Sequence, residues 1–198
     1  GADASAAVGA ALMPPGGVAT LIVPADLSWS SGGSIGPRPA PADLSAVDSA
    51  TVAATAKALR TTRSALLLGG RALREPGLLA AARVAAATGA RVLCETFPAR
   101  LERGAGLPAF ERLAYLPELA TKQLADLETL VLVGAAEPVT FFGYPDTPSR
   151  PAPAGCAPHV LAAPGDDVVA ALSALADEVG APADPDLPPV DRPSAPTG

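Results

Sequence analysis

A chain of 198 residues has room for one ordinary domain with additional segments, and a 49% hydrophobic content supports a sizeable core. Ala and Leu predominate while aromatic residues make up only 4%, which favours tightly packed, Ala-lined helices over an aromatic-rich β-sandwich. The net charge of −6 and the scattered arginines argue against a nucleic-acid surface, and no apolar run is long enough to cross a bilayer.

In chain order, DASAAVGAALM (3–13) predicts a short helix, with Asp3 or Ser5 as its cap, ended by Pro14-Pro15-Gly16-Gly17. The apolar, largely β-favouring run 18–23 reads as a strand buried on both faces and stopped by Pro24. Residues 27–43 alternate Pro, Gly and Ser with almost no large apolar side chain, the composition of a linker.

From residue 44 to 180 the pattern is regular. DSATVAATAKALR predicts a helix capped by Asp48, with Val52, Ala56 and Leu59 on one face. ALLLG (65–69) reads as a buried strand. EPGLLAAARVAAATG follows as a helix with Leu79, Ala82 and Ala86 on its stripe and Gly89 at its carboxyl end. ARVLC (90–94) is the next strand, PELATKQLADLE a helix, TLVLVG (129–134) the clearest strand and APHVLA (157–162) a weaker one. The last helix starts at Asp166-Asp167 and sets Val168, Val169, Leu172, Leu175 and Val179 on one face. Short apolar strands alternating with amphipathic helices predict a Rossmann-like α/β fold, a doubly wound parallel sheet with flanking helices. The tail, 181–198, is a Pro-rich linker by composition.

Two strand-to-turn junctions carry the candidate chemistry. LLLGGRALREPG (66–77) places a glycine pair before a helix, where free N–H groups and the helix dipole favour anions. Glu95 follows the next strand, the position of a ribose-binding acid in dinucleotide folds, although GxGxxG is absent. LVLVGAAEPVTFF (130–142) is the second junction, so Gly69, Gly70, Glu95 and Gly134 form a candidate nucleotide crevice beyond the strand ends. Other features read as structure. His159 lies within a strand, and no nucleophile-elbow motif accompanies it. Asp166-Asp167 reads as a cap, and Arg100, Glu102 and Arg103 as a solvated charged loop, with a phosphate contact as the alternative. Phe141, Phe142 and Tyr144 read as packing against a neighbouring domain or the sheet edge, and Cys94 and Cys156 as buried thiols suited to a reducing cytoplasm. No catalytic residue and no metal ligand set emerges.

The order of elements resembles the thiamine-diphosphate enzymes. GVATLIVPADLSW is similar to the end of their pyrimidine-binding domain, and LLLGG, ARVLCETFP, LVLVGA and PHVLA are similar to their central domain. The nearest likeness is to acetolactate synthase large-subunit-like proteins and benzoylformate decarboxylase, carried especially by LCETFPARLERGAGLPAFERLAYLPE. The resemblance implies that residues 1–26 are the last helix and strand of a truncated pyrimidine-binding domain and 44–180 the central domain. The missing amino- and carboxyl-terminal domains of the same polypeptide would be its partners.

Thiamine diphosphate and Mg²⁺ would then be held by the full-length, homo-oligomeric, cytoplasmic parent and not by this chain, which lacks the family's GDG motif. That picture implies a clipped or deliberately shortened chain, inactive alone, with no nucleic-acid or membrane partner. Acetolactate synthases also bind FAD in this domain. Here GAAEPVTFF replaces their GARFDDR-like segment, which counts against FAD and towards the decarboxylase-like branch. The alternatives are a self-contained FAD- or NAD-binding oxidoreductase module and a non-catalytic interaction domain.

Overall fold

The computed structural model describes residues 1–40, 42–61, 63–185 and 187, so most of the expected tail lies outside the described residues. The chain divides into two compact units, Gly1–Ser45 and Ala46–Gly198.

Helix α1 (Ala2–Leu12) and the short α2 (Ala25–Trp29) lie in the first unit, and neither contains a buried residue. Gly1 is the N-cap of α1 and no side chain caps it. Asp3 instead sits in the first turn, and the Ser5 hydroxyl donates to the Pro37 carbonyl. The strand expected over 18–23 does not form: Val18 is 99% and Ile22 84% exposed. A strand needs a neighbour to satisfy its backbone groups and cover its side chains, and among the described residues the first unit contains no strand to pair with. Pro24 acts as the N-cap of α2, so the helical turn occupies the start of the expected linker. From residue 30 to 40 the backbone has neither helix nor strand.

The second unit is built on one parallel sheet. Its elements are α3 (Ser49–Ala58), β1 (Ser64–Leu68), a 3₁₀ turn (Gly70–Leu73), α4 (Glu75–Thr88), β2 (Arg91–Cys94) and β3 (Glu111–Arg112). These are followed by α5 (Pro117–Leu124), β4 (Thr129–Val133), β5 (Ala157–Ala162) and α6 (Val168–Glu178). The strand order is β3-β2-β1-β4-β5 and every pairing is parallel. The two-residue edge strand β3 carries only exposed Glu111 and Arg112, so no apolar run announces it.

Side chains alternate across the sheet. Leu66, Leu68, Val131 and Val133 face one way, into a core closed by α3, α4 and α6. Ala65, Leu67, Leu130 and Leu132 face the other way, against Ala120 and Leu124 of α5 and against Ala135 and Cys156 of the connection after β4. Burial on both faces explains why β1 reads as a continuous apolar run. Each fully buried leucine contributes about 1.5–3 kcal/mol relative to an exposed one, and twelve leucines among the described residues are fully buried.

The helices start and stop where the sequence indicates. Asp48 accepts from the Thr51 N–H at 2.8 Å, Asp167 from the Ala170 N–H at 3.0 Å, and Gly89 ends α4 at φ 73°. The stripe of α4 is displaced from expectation: Leu79 is half-buried and Ala86 exposed, while Leu78, Ala81 and Val84 are fully buried. Its buried face is wide because α4 packs on both the sheet and α6. On α6, Val168, Leu172 and Leu175 are buried as expected, with Val169 and Val179 half-buried.

His159 ties β5 to α3. The fully buried Thr55 hydroxyl lies 2.7 Å from His159 Nε2 and donates to the Thr51 carbonyl at 2.8 Å. A hydroxyl has one hydrogen, so Thr55 must accept from the imidazole, which assigns the proton to Nε2. Thr55→Val removes that acceptor at nearly constant volume and leaves the ring N–H unpaired. The expected loss is about 1–2 kcal/mol in urea-unfolding stability, and an unchanged midpoint would contradict the bond.

Candidate functional site

The strand order places the topological switch between β1 and β4, because the chain runs from β1 outward on one side and returns to start the other side at β4. Gly69 and Gly134 end these two strands. A Cβ on Gly69 would lie 2.5 Å from the Gly134 carbonyl oxygen, and one on Gly134 would lie 2.8 Å from the Gly69 carbonyl oxygen and 3.1 Å from Val168. Gly134 also has φ 64°, which disfavours a side chain independently of space. The strand ends therefore meet backbone to backbone.

The structure brings all four sequence-derived residues to this edge. The Gly69 N–H donates to the Val133 carbonyl at 2.9 Å and the Gly134 N–H to the Ala162 carbonyl at 2.8 Å. The Gly70 N–H, presented by the turn, donates to Glu95 Oε1 at 3.2 Å. Glu95 itself is held beyond β2 by its backbone N–H, which donates to the Leu68 carbonyl at 2.9 Å.

A second carboxylate does the same at the start of α4. Glu102 Oε2 accepts from the Glu75 N–H at 2.6 Å, and Oε1 faces Arg74 at 3.4 Å and Arg100 at 3.5 Å. The Glu102 N–H donates to the Leu73 carbonyl at 3.0 Å, fixing the loop to the turn. The bond from Glu75, and then the neighbouring Arg74, hold the Glu102 carboxyl below its ordinary value. Sequence reasoning placed Glu102 in a solvated loop. Its partner at Glu75 is 27 residues away, and no local pattern signals that pairing.

The aromatic residues of the loop after β4 converge with two others that the sequence reading did not group with them. Phe97 follows β2, Tyr115 follows β3, and both meet Phe141, at ring-centroid separations of 5.8 and 5.6 Å. Phe142 extends the contacts to Tyr144 at 5.4 Å. The cluster borders a 190 Å³ cavity lined in part by Leu113, Ala120 and Val139. Phe97 and Phe141 remain 63% and 66% exposed. Their separation in sequence hides the cluster from any periodicity argument.

The remaining candidates behave as structural groups. Cys94 and Cys156 are free thiols, and burial pushes both up from the ordinary thiol value. Asp166 Oδ2 accepts from the Ala163 N–H at 2.7 Å, beside the Asp167 cap. Among the described residues, no three His, Cys, Asp or Glu side chains converge as metal ligands, and no helix is long and apolar enough to cross a membrane.

A five-stranded parallel sheet covered in this way is an α/β fold that is similar to domains of solved thiamine-diphosphate-dependent enzymes. The chain superposes with a TM-score of 0.60 on a Mycobacterium smegmatis protein described as "a putative thiamin diphosphate-dependent enzyme", at 25% identity over 96% of this chain and 39% of that one. It superposes with a TM-score of 0.58 on the Rhodococcus jostii RHA1 thiamine diphosphate-dependent 4-hydroxybenzoylformate decarboxylase, at 20% identity over 98% of this chain and 40% of that one. In sequence it is 52% identical over 200 residues to "Putative acetolactate synthase large subunit IlvX" of Mycobacterium tuberculosis (strain ATCC 25618 / H37Rv). That match takes in 100% of this chain and 38% of the relative, so the chain is homologous throughout to one segment of an acetolactate synthase large-subunit-like protein. No protein-family model matches it.

The geometry of this edge sets two expected outcomes. Gly134→Ala forces a left-handed alanine against the Gly69 carbonyl and lowers stability by more than about 1–2 kcal/mol. Gly143→Ala, which meets nothing within 4 Å, stays within about 0.5 kcal/mol of the parent in the same thermal melts. For Glu102, a folded value below 4.5 means its contribution is complete above 4.5 and is lost as the pH falls through the lower folded value. The share of stability that Glu102 contributes is therefore lost as the pH falls below 4.5, and Glu102→Gln makes the acid-side fall shallower when urea midpoints are compared across that range.

Proposed function

We propose that residues 44–180 are the central domain of a longer thiamine-diphosphate-dependent enzyme acting on 2-oxo acids. On this reading residues 1–26 are the closing piece of a preceding pyrimidine-binding domain. The observation that carries the proposal is the 52% identity over the whole chain to 38% of the acetolactate synthase large-subunit-like relative. The exposed apolar run 18–23, without a strand partner in its own unit, supports the reading of residues 1–26.

The residues present do not fit thiamine diphosphate or Mg²⁺. The sequence has no GDG motif, and the described residues offer no convergent ligand set. Cofactor chemistry therefore belongs to other domains of the polypeptide, in a cytoplasmic homo-oligomer that holds Mg²⁺ with the cofactor. This domain contributes a rigid sheet and a face for interdomain packing. The aromatic cluster of Phe97, Tyr115, Phe141 and Phe142 is the part of that face that the remaining polypeptide covers.

The 198-residue chain, supplied with thiamine diphosphate and Mg²⁺, is expected to release no CO₂ from pyruvate or benzoylformate, whereas the longer native protein does so with at least one 2-oxo acid. Turnover by the isolated chain would contradict the proposal, as would a longer protein inert towards 2-oxo acids.

A further inference from the structure

The sheet has the strand order and the glycine turn of a dinucleotide-binding fold, in which a diphosphate rests on the N–H groups of the first strand-to-helix turn. Here the relevant N–H groups already have anionic partners from the same chain. We infer that Glu95 and Glu102 are built-in anions that fill the diphosphate position of this crevice and exclude FAD, NAD and other dinucleotides from it. The inference holds whether or not the longer protein is an enzyme.

Three observations carry it. First, the carboxylates sit on separate donors, Glu95 on the Gly70 N–H and Glu102 on the Glu75 N–H, so both the turn and the helix start are engaged. Second, Arg74 and Arg100, two cations near the helix start, are paired with Glu102. Third, the cleft between the strand ends is closed by backbone, since the Gly69 and Gly134 carbonyls each occupy the space where the other glycine would carry a Cβ. A diphosphate entering this edge would displace two charge-assisted hydrogen bonds while facing two like charges.

The closure explains the location of the acids. Glu95 leaves β2 beside the turn, because its N–H continues the ladder to Leu68. Glu102 is brought back by its own N–H bond to Leu73, at the end of the turn and just before the helix start that the acid serves. Each carboxylate is thus delivered by a backbone bond to the residue two positions before the N–H it meets. A crevice held in this way needs no nucleotide to order the strand, turn and helix start.

The test uses inorganic pyrophosphate and FAD with the 198-residue chain and two double variants, Glu95→Ala/Glu102→Ala and Glu95→Gln/Glu102→Gln. Binding is read by isothermal calorimetry and by ligand-dependent rise of the melting temperature, with circular dichroism confirming the fold. The parent is expected to show no saturable binding of either compound. The alanine pair is expected to bind pyrophosphate at least about tenfold more tightly than the parent, because N–H donors and arginines are released together. The glutamine pair keeps the shape but removes both charges and is expected to show a smaller gain, which preserves the test if the alanine pair does not fold. Saturable binding of FAD or pyrophosphate to the parent overturns the inference. So does the absence of any gain in folded variants.

Discussion

The backbones of β1 and β4 meet at Gly69 and Gly134 with no side chain between them, and the carboxyl edge of the sheet takes its form from that contact. Because Gly69 ends the first strand and Gly134 the fourth, the contact lies at the point where strand order reverses. From there the chain leaves in two directions, through a 3₁₀ turn into α4 and through a long connection into β5. A residue with a Cβ at either position would separate the strands, unseat the N–H bonds that extend the ladders, and shift the turn that Glu95 holds.

Coverage of the sheet is unequal in kind, and this bears on function. One face is closed by three helices, the other by α5 and by a connection without helix or strand that runs from residue 134 to 156. Parallel strands are usually joined through a helix, so a long irregular crossover releases side chains for other use. The loop spends some of them inward, at Ala135, Ala152 and Cys156, and others on the aromatic cluster with Phe97 and Tyr115. Buried thiols, a capped aspartate pair and a histidine bonded to a threonine all serve cohesion. The polar groups at the sheet edge are satisfied by one another.

Much of the fold was legible in the sequence because the strands and helix ends of the second unit are signalled by residues next to one another in the chain. Apolar runs of three or four residues marked β1, β2 and β4, and Asp48, Gly89 and Asp167 marked helix ends through chemistry that acts within one turn. The run 18–23 failed for the opposite reason: its composition suits a strand, but a strand is a property of its neighbours. The two-residue β3 has no apolar signal at all, and the stripe of α4 was displaced because α6 adds a second packing surface. At the edge, glycines and Glu95 could be named from strand-to-turn junctions. The pairing of Glu102 with Glu75 and the meeting of Phe97, Tyr115 and Phe141 depend on long-range closure that spacing does not encode.

The central claim is that this sequence is a structural domain within a longer enzyme, and it is tested most directly by the intact mass of the protein made from its native locus. The account predicts a single polypeptide well over twice the mass of this 198-residue chain, containing this sequence and retaining thiamine diphosphate through gentle purification. A native product with the mass of this chain alone would contradict it and would remove thiamine-dependent catalysis from the protein's function.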